Sequence, residues 1–240
     1  MAKVSETQLA NILRIMKDRK MFQSVTRMQY IPVDMEWSMS AIEVIGKARS
    51  NKFRIDESNR FVYENIVRWL HADTEFKCLS PDDKSIVPGD ISKGIYIAGN
   101  TGTGKTWCVD IVAAYSRMLN LKLMIGGQEC AMAWTNIRAD VITNEFQQTG
   151  DYFSRAKTPM LCIQDLGAES QESIYMGNRV NVLRSVLEYR GDRNDQITLV
   201  TSNLPMIHKA FSDKYGDRVA SRMREMCNYF ELTGQDRRKL

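Results

Sequence analysis

The sequence predicts an α/β fold: a parallel sheet flanked by helices, preceded by a small, mainly helical N-terminal region. Three observations carry this. After Gly94, short apolar runs alternate with helical patterns, as in sheets whose strands are joined by helical crossovers. The first run feeds the octapeptide Gly99-Asn100-Thr101-Gly102-Thr103-Gly104-Lys105-Thr106, which meets G-x-x-x-x-G-K-[ST] at every position. Upstream of residue 76, two stretches repeat apolar residues at helical spacing.

In chain order, Ser5-Glu6-Thr7-Gln8 has the form of a capping box. Leu9, Ile12, Leu13 and Met16 then put one apolar face on a helix. Residues 1–30 hold six basic residues (Lys3, Arg14, Lys17, Arg19, Lys20, Arg27) against Glu6 and Asp18, an excess equal to the net charge of +4. A solvated helix face and an arm that docks on a partner or on phosphates both fit that excess. A second helix is expected over Glu57–Ala72, with Val62, Ile66, Trp69 and Leu70 as its buried stripe. Ser80-Pro81-Asp82-Asp83 and Val87-Pro88-Gly89-Asp90 then punctuate the chain. The expected division is an N-terminal helical region at 1–75, a linker at 76–93 and an α/β domain at 94–240. Strands are expected at Ile95–Ala98, Leu121–Ile125, Met160–Ile163, Ile197–Thr201 and Asn228–Leu232. The helices between them include Thr106–Leu119 and Tyr175–Tyr189, the latter with Met176, Val180, Leu183 and Leu187 on one face.

Composition removes whole classes of function. With 43% hydrophobic and 26% charged residues in 240, the chain is neither a disordered tail nor a fibre. No apolar run reaches the roughly 18 residues that cross a bilayer. No long apolar block follows the first charges, so a cytoplasmic protein is expected. The five cysteines form no C-x-x-C pair, and His71 and His208 stand apart, which argues against a disulfide scaffold or a zinc site.

The octapeptide names its ligand by chemistry. Glycines let the backbone close around a phosphate, successive N–H groups point at the anion, and the following helix offers its positive end. Lys105 is placed for the β- and γ-phosphates, and the Thr106 hydroxyl for Mg²⁺. The candidate ligand is therefore ATP or GTP with Mg²⁺, on a P-loop NTPase fold. Such an enzyme also needs a carboxylate at the end of a neighbouring strand, to hold the metal and orient water. Met160-Leu161-Cys162-Ile163 reads as a buried strand, and Gln164-Asp165-Leu166-Gly167-Ala168-Glu169 comes directly after it, where that acid belongs.

This run resembles the D-[DE]-L-G-A-E segment of AAA+ ATPases of the DnaC/DnaI and IstB type. Ile197-Thr198-Leu199-Val200-Thr201-Ser202-Asn203-Leu204-Pro205 is similar to that family's sensor 1 strand, Tyr215-Gly216-Asp217-Arg218-Val219-Ala220-Ser221-Arg222-Met223 to its arginine-finger motif, and Gly234-Gln235-Asp236-Arg237-Arg238 to its terminal motif. The resemblance spans about residues 94–240. It implies that Asp165 polarises the attacking water and serves the metal with Thr106. It also implies that Asn203 is the sensor, and that Arg218 is a finger acting in trans on an adjoining subunit. Arg222 either shares that role or pairs with Asp217 or Glu225. Arg237 and Arg238 read either as phosphate contacts or as a basic tail. In one place the chain departs from the family: Gln164 stands where an Asp is usual. A neutral amide there predicts weaker Mg²⁺ binding and slow hydrolysis, with Gln164→Asp raising turnover. Because side chains alternate along a strand, Asp165 can take over only with a local bend.

The resemblance further implies a helicase loader of DNA replication. Its N-terminal region would grip a replicative helicase, and its ATP-bound form would self-associate through the ATP sites and bind single-stranded DNA. An IstB-like regulator acting on a transposase and duplex DNA shares nearly every motif. A small-molecule kinase would give the Ser-Asn-Leu-Pro and Tyr-Gly-Asp-Arg stretches no role; a nucleotide-regulated binding module that scarcely hydrolyses fits Gln164. For DNA, the segment 128–158 offers Trp134, Arg138, Phe146, Tyr152, Phe153, Arg155 and Lys157, a mixture suited to stacking and phosphate contact, though aromatic residues at helical spacing equally mark a core.

Overall fold

A computed structural model describes residues 5–18, 25–27 and 30–237. The N-terminal part holds α1 (Glu6–Asp18), β1 (Val25–Arg27), α2 (Met35–Arg49) and α3 (Glu57–Leu70). A hairpin, β2 (Lys77–Leu79) and β3 (Ile86–Pro88), leads to β4 (Gly94–Ala98) and α4 (Lys105–Met118). Next come β5 (Lys122–Ile125), β6 (Gln128–Ala131), β7 (Thr135–Arg138), α5 (Ala139–Thr149), α6 (Phe153–Ala156) and β8 (Met160–Leu166). A second hairpin, β9 (Ser173–Tyr175) and β10 (Asn178–Val180), precedes α7 (Val182–Gly191), β11 (Ile197–Ser202), α8 (Lys209–Tyr215), α9 (Asp217–Met226) and β12 (Cys227–Glu231).

The central sheet runs β3-β2-β12-β4-β11-β8-β7. From β12 to β7 every pairing is parallel, and the β2–β3 hairpin adds an antiparallel edge. The two central strands, β4 and β11, are buried at every residue, which is why they read as continuous apolar runs. Alternation along β4 serves two cores. Ile95 and Ile97 join the cluster under α2, α3 and α4, while Tyr96 and Ala98 join the one under α5, α7, α8 and α9. This is the P-loop α/β fold, with the glycine-rich turn of residues 99–106 at the carboxyl end of its central strand.

Four expectations need correction. Residues 76–93 form a hairpin paired to β12 through Leu79 and Tyr229, and the Asp90 backbone N–H donates to Asn228 Oδ1 at 2.8 Å; they belong to the sheet rather than to a free linker. The helices before it share the sheet's core: Phe61 of α3 lies 6.1 Å from Phe230, as does Phe76 at the start of the segment, and the Trp69 indole donates to the Lys93 carbonyl at 2.8 Å. The strand expected at Leu121–Ile125 exists as β5, but in a separate antiparallel sheet, β1-β5-β6. Its place in the central sheet is taken by β7, whose sequence Thr-Asn-Ile-Arg is polar because it is an edge strand with only Ile137 buried.

The expected helix Tyr175–Tyr189 begins instead as a hairpin. Met176 and Gly177 both have positive φ (48° and 85°), the tight turn that suits the twist of paired strands, and Met176 is 85% exposed. The helix starts only after Asn181, whose side chain caps it by accepting from the Arg184 N–H; Leu183 and Leu187 are buried as expected.

The N-terminal capping box forms: the Ser5 N–H donates to Gln8 Oε1 at 2.9 Å, and the Gln8 N–H to Ser5 Oγ at 3.3 Å. Leu9, Ile12 and Leu13 are about half exposed, so the apolar face of α1 is largely uncovered in the single chain. Arg27 is no surface arm: its guanidinium lies 4.9 Å from the centre of the Trp69 ring and donates to the Trp69 and Leu70 carbonyls. Lys3, Arg19, Lys20 and Arg238 fall outside the described residues. Among the described residues, no helix is long and apolar enough to cross a membrane.

Candidate functional site

The turn after β4 requires glycine. At Gly99 (φ 152°) a Cβ would come within 2.1 Å of the Leu232 carbonyl, and at Gly102 (φ 82°) within 2.1 Å of the Asp236 carboxylate. Helix α4 begins at Lys105, so its positive end faces the turn. The Lys105 ammonium donates to the Gly99 and Asn100 carbonyls and to Asn203 Oδ1, each at 2.8 Å. Burial lowers its pKa, and the Asp165 carboxylate works against that. Asn203 stands just beyond β11, the strand beside β4, and its amide also donates to Thr101 Oγ1 at 3.4 Å.

A cavity of about 660 Å³ opens over this turn. Thr101, Gly102, Thr103, Gly104, Lys105 and Thr106 line it together with Asp165 and Asn203. Gly99 and Asn100 act instead through the carbonyls that hold Lys105. The lining is completed by Arg49 of α2, Phe53 from the loop after it, Tyr63 of α3, and Leu232 and Arg237 beyond β12. Phe53 is stacked on Trp107 at 6.3 Å. An apolar, aromatic wall beside a phosphate cradle suits a nucleobase. The sequence reading missed this wall because it comes from residues far apart in the chain.

Asp165 reaches the cavity by the bend that strand alternation demands. Its φ is 55°, rare for a residue with a Cβ, and the β8–β11 register shifts between Val200 and Ser202. Its N–H donates to Thr201 Oγ1 at 3.0 Å. Gln164, 7% exposed, turns the other way and donates from Nε2 to Asp110 Oδ1 at 3.0 Å. Asn136 donates to the same oxygen at 2.7 Å, and Arg49 pairs with the other carboxylate oxygen. Asp110, one helical turn after Thr106, therefore puts a carboxylate directly behind residue 164. The sequence carried its signal, an acid four residues beyond Thr106 on a buried helix.

Thr106 and Asp165 on one cavity wall suit Mg²⁺, which takes few protein ligands and keeps much of its water. Among the described residues there is no cluster of three or more His, Cys, Asp or Glu able to hold a metal by itself.

Arg218 does not line this cavity. It lies on α9 with its side chain 62% exposed, 3.1 Å from Asp192. Arg222 shares Asp192 at 2.8 Å and also pairs with Glu225. Arg237 does line the cavity: its N–H donates to the Gly102 carbonyl at 2.9 Å, and its guanidinium donates to Asp56 and Ser58, each at 2.7 Å. In the segment 128–158, Trp134 and Phe146 are core residues, Arg155 pairs with Glu145 and Arg138 with Asp140. Phe153 alone among its aromatic residues is largely exposed, with Lys157 5.7 Å from its ring centre.

Neither a family model nor a curated protein sequence matches the chain. Among solved structures, it shares its fold with a protein described as a "putative primosome component" from Streptococcus pyogenes serotype M3. The TM-score is 0.51 at 18% identity, over 75% of this chain and 81% of that one. The DnaC helicase loader aligns with a TM-score of 0.44 at 15% identity, over 76% of this chain and 94% of that one.

Proposed function

We propose that the chain is an AAA+ ATPase of the helicase-loader kind, binding ATP with Mg²⁺ and using it to assemble with further copies of itself on a replicative helicase and single-stranded DNA. One observation carries the nucleotide reading: residues 101–106 of the phosphate turn, a carboxylate and a sensor amide, delivered by three adjacent strands, line a single cavity. In this reading the turn's N–H groups and Lys105 hold the β- and γ-phosphates. The ammonium is already desolvated and ordered, so the triphosphate replaces the carbonyls and the Asn203 oxygen around it. Asn203, released from Lys105, then faces the γ-phosphate. Asp165 accepts a hydrogen bond from the attacking water; Mg²⁺, held by Thr106 and Asp165, would supply charge neutralisation for the phosphates. Phe53, Trp107 and Tyr63 wall the base.

The outward position of Arg218 supports a finger that serves another copy, and the uncovered face of α1 supports a partner contact through the N-terminal region. Replication as the setting is supported by the motif set and by the description of the S. pyogenes protein. The test is affinity capture with ATP and with ADP, followed by identification of the partner. A replicative helicase retained in a nucleotide-dependent manner is the expected result. A transposase, or no dependence on nucleotide, would overturn the reading.

A further inference from the structure

Glu169 is an acid that the nucleotide chemistry leaves unused, and its surroundings are unusual. Its side chain is 1% exposed and sits four residues after Asp165, beyond a turn in which the Ala168 N–H donates to the Asp165 carbonyl at 3.0 Å. One carboxylate oxygen accepts from the Gly167 N–H at 2.9 Å. The other accepts from the Tyr215 hydroxyl at 2.5 Å and lies 3.1 Å from the Lys214 ammonium. Lys214 donates in addition to the Gly167 and Glu169 carbonyls, at 2.8 and 2.6 Å. The acid-bearing turn is thus stitched to the last two residues of α8.

The stitch matters because of the helix next in the chain. Gly216, at φ 89°, turns the backbone directly from α8 into α9, and Arg218 is the second residue of that helix. Val219 and Met223 bury the inner face of α9 in the same core as Tyr215, so the helix moves with α8. On its other side the turn is tied to the sensor: Ser202 Oγ donates to the Leu166 carbonyl at 2.6 Å and accepts from the Leu204 N–H at 2.9 Å. A displacement at Asp165 or Asn203 has a short, buried, hydrogen-bonded route to the base of the finger helix.

We propose that Glu169 is a positioning residue, a latch that couples the state of one subunit's own nucleotide site to the pose of the Arg218 it offers its neighbour. This rests on the trans-acting finger proposed for Arg218. Burial and the adjacent carboxylate raise the Tyr215 pKa, so its hydroxyl keeps its proton and remains a donor across the working pH range.

Mixed assemblies test the latch. Arg218→Ala subunits supply an intact site without a finger; Asp165→Asn subunits supply a finger beside a dead site. Their mixture should hydrolyse ATP faster than either alone. Tyr215→Phe is then placed in one or the other, with Lys214→Met and Glu169→Gln as parallel variants. In the finger-donating subunit each should cut the restored rate by at least about tenfold, a loss of about 1.4 kcal/mol in transition-state stabilisation. In the site-donating subunit each should leave that rate within about twofold, and binding of a fluorescent ATP analogue should be unchanged in both. An equal loss from either side, or none, overturns the latch while leaving the finger standing. No restoration in the parent mixture overturns the finger reading, and the latch falls with it.

Discussion

Gln164→Asp is the substitution that the family pattern invites, and the structure predicts that it fails alone. The wild-type amide donates to Asp110 at 3.0 Å from a nearly buried position. Replacing it removes a hydrogen bond to a charged acceptor, worth about 1.5–3 kcal/mol. It also sets a second carboxylate roughly 4–5 Å from the first, which at an effective dielectric near 20 repels by up to about 3–4 kcal/mol. Arg49, already paired with Asp110, offsets only part of this. Less the part that Arg49 offsets, these two effects give an expected net loss of at least about 3 kcal/mol at pH 8, read by urea unfolding.

The pH dependence has a definite sign. Repulsion raises the folded-state pKa of the new pair, so the loss is largest above that value and shrinks on acidification, as one carboxyl takes a proton. Asp110→Asn combined with Gln164→Asp removes the repulsion and should recover stability to within about 1 kcal/mol of wild type. Only that double variant should bind Mg²⁺·ATP more tightly. A single variant as stable as wild type at pH 8, or a double variant no better than the single, refutes the reasoning.

Three further outcomes are expected. On the proposed role of its ammonium as a phosphate ligand, Lys105→Ala should lower ATP affinity by about a hundredfold or more in calorimetric titration while the protein stays folded. Gly102→Ala combines φ 82° with a collision against Asp236 and should cost at least about 1–2 kcal/mol in stability, together with loss of nucleotide binding. His71 bonds the Tyr115 hydroxyl at 2.9 Å, and burial lowers its pKa. The unfolded chain therefore takes up the proton first, so stability is complete above about pH 6.5 and falls as pH drops below it. His71→Asn should flatten that part of the stability–pH curve; an unchanged slope would assign it to another group.

The sheet core is legible in the sequence because buried parallel strands announce themselves: Ile95–Ala98, Met160–Ile163 and Ile197–Thr201 read as strands and lie within β4, β8 and β11. The phosphate turn is legible because only glycine tolerates its geometry. The features that stay hidden are those set by tertiary neighbours. β7 is polar because an edge strand buries little, so nothing in Thr135–Arg138 marks it as a sheet member. Val180, Leu183 and Leu187 keep helical spacing across a boundary that a two-residue turn and an Asn cap impose. Asp165 and Gln164 can be aligned to a family pattern, but which of them faces the cavity depends on a bend at one φ angle. The apolar part of the cavity lining joins residues 53, 63, 107 and 232, which no local motif links.

Helices α2 and α3 share one core with the sheet, and Tyr63 of α3, with Phe53 from the loop between the two helices, lines the cavity over the glycine turn. A recombinant fragment cut at residue 75 would therefore lose more than an arm. It would bare the apolar flank of α4 and open the Tyr63 side of the cavity to water. The amino-terminal helices and the cavity form one continuous piece of architecture, so a force applied to the former reaches the latter through packed side chains.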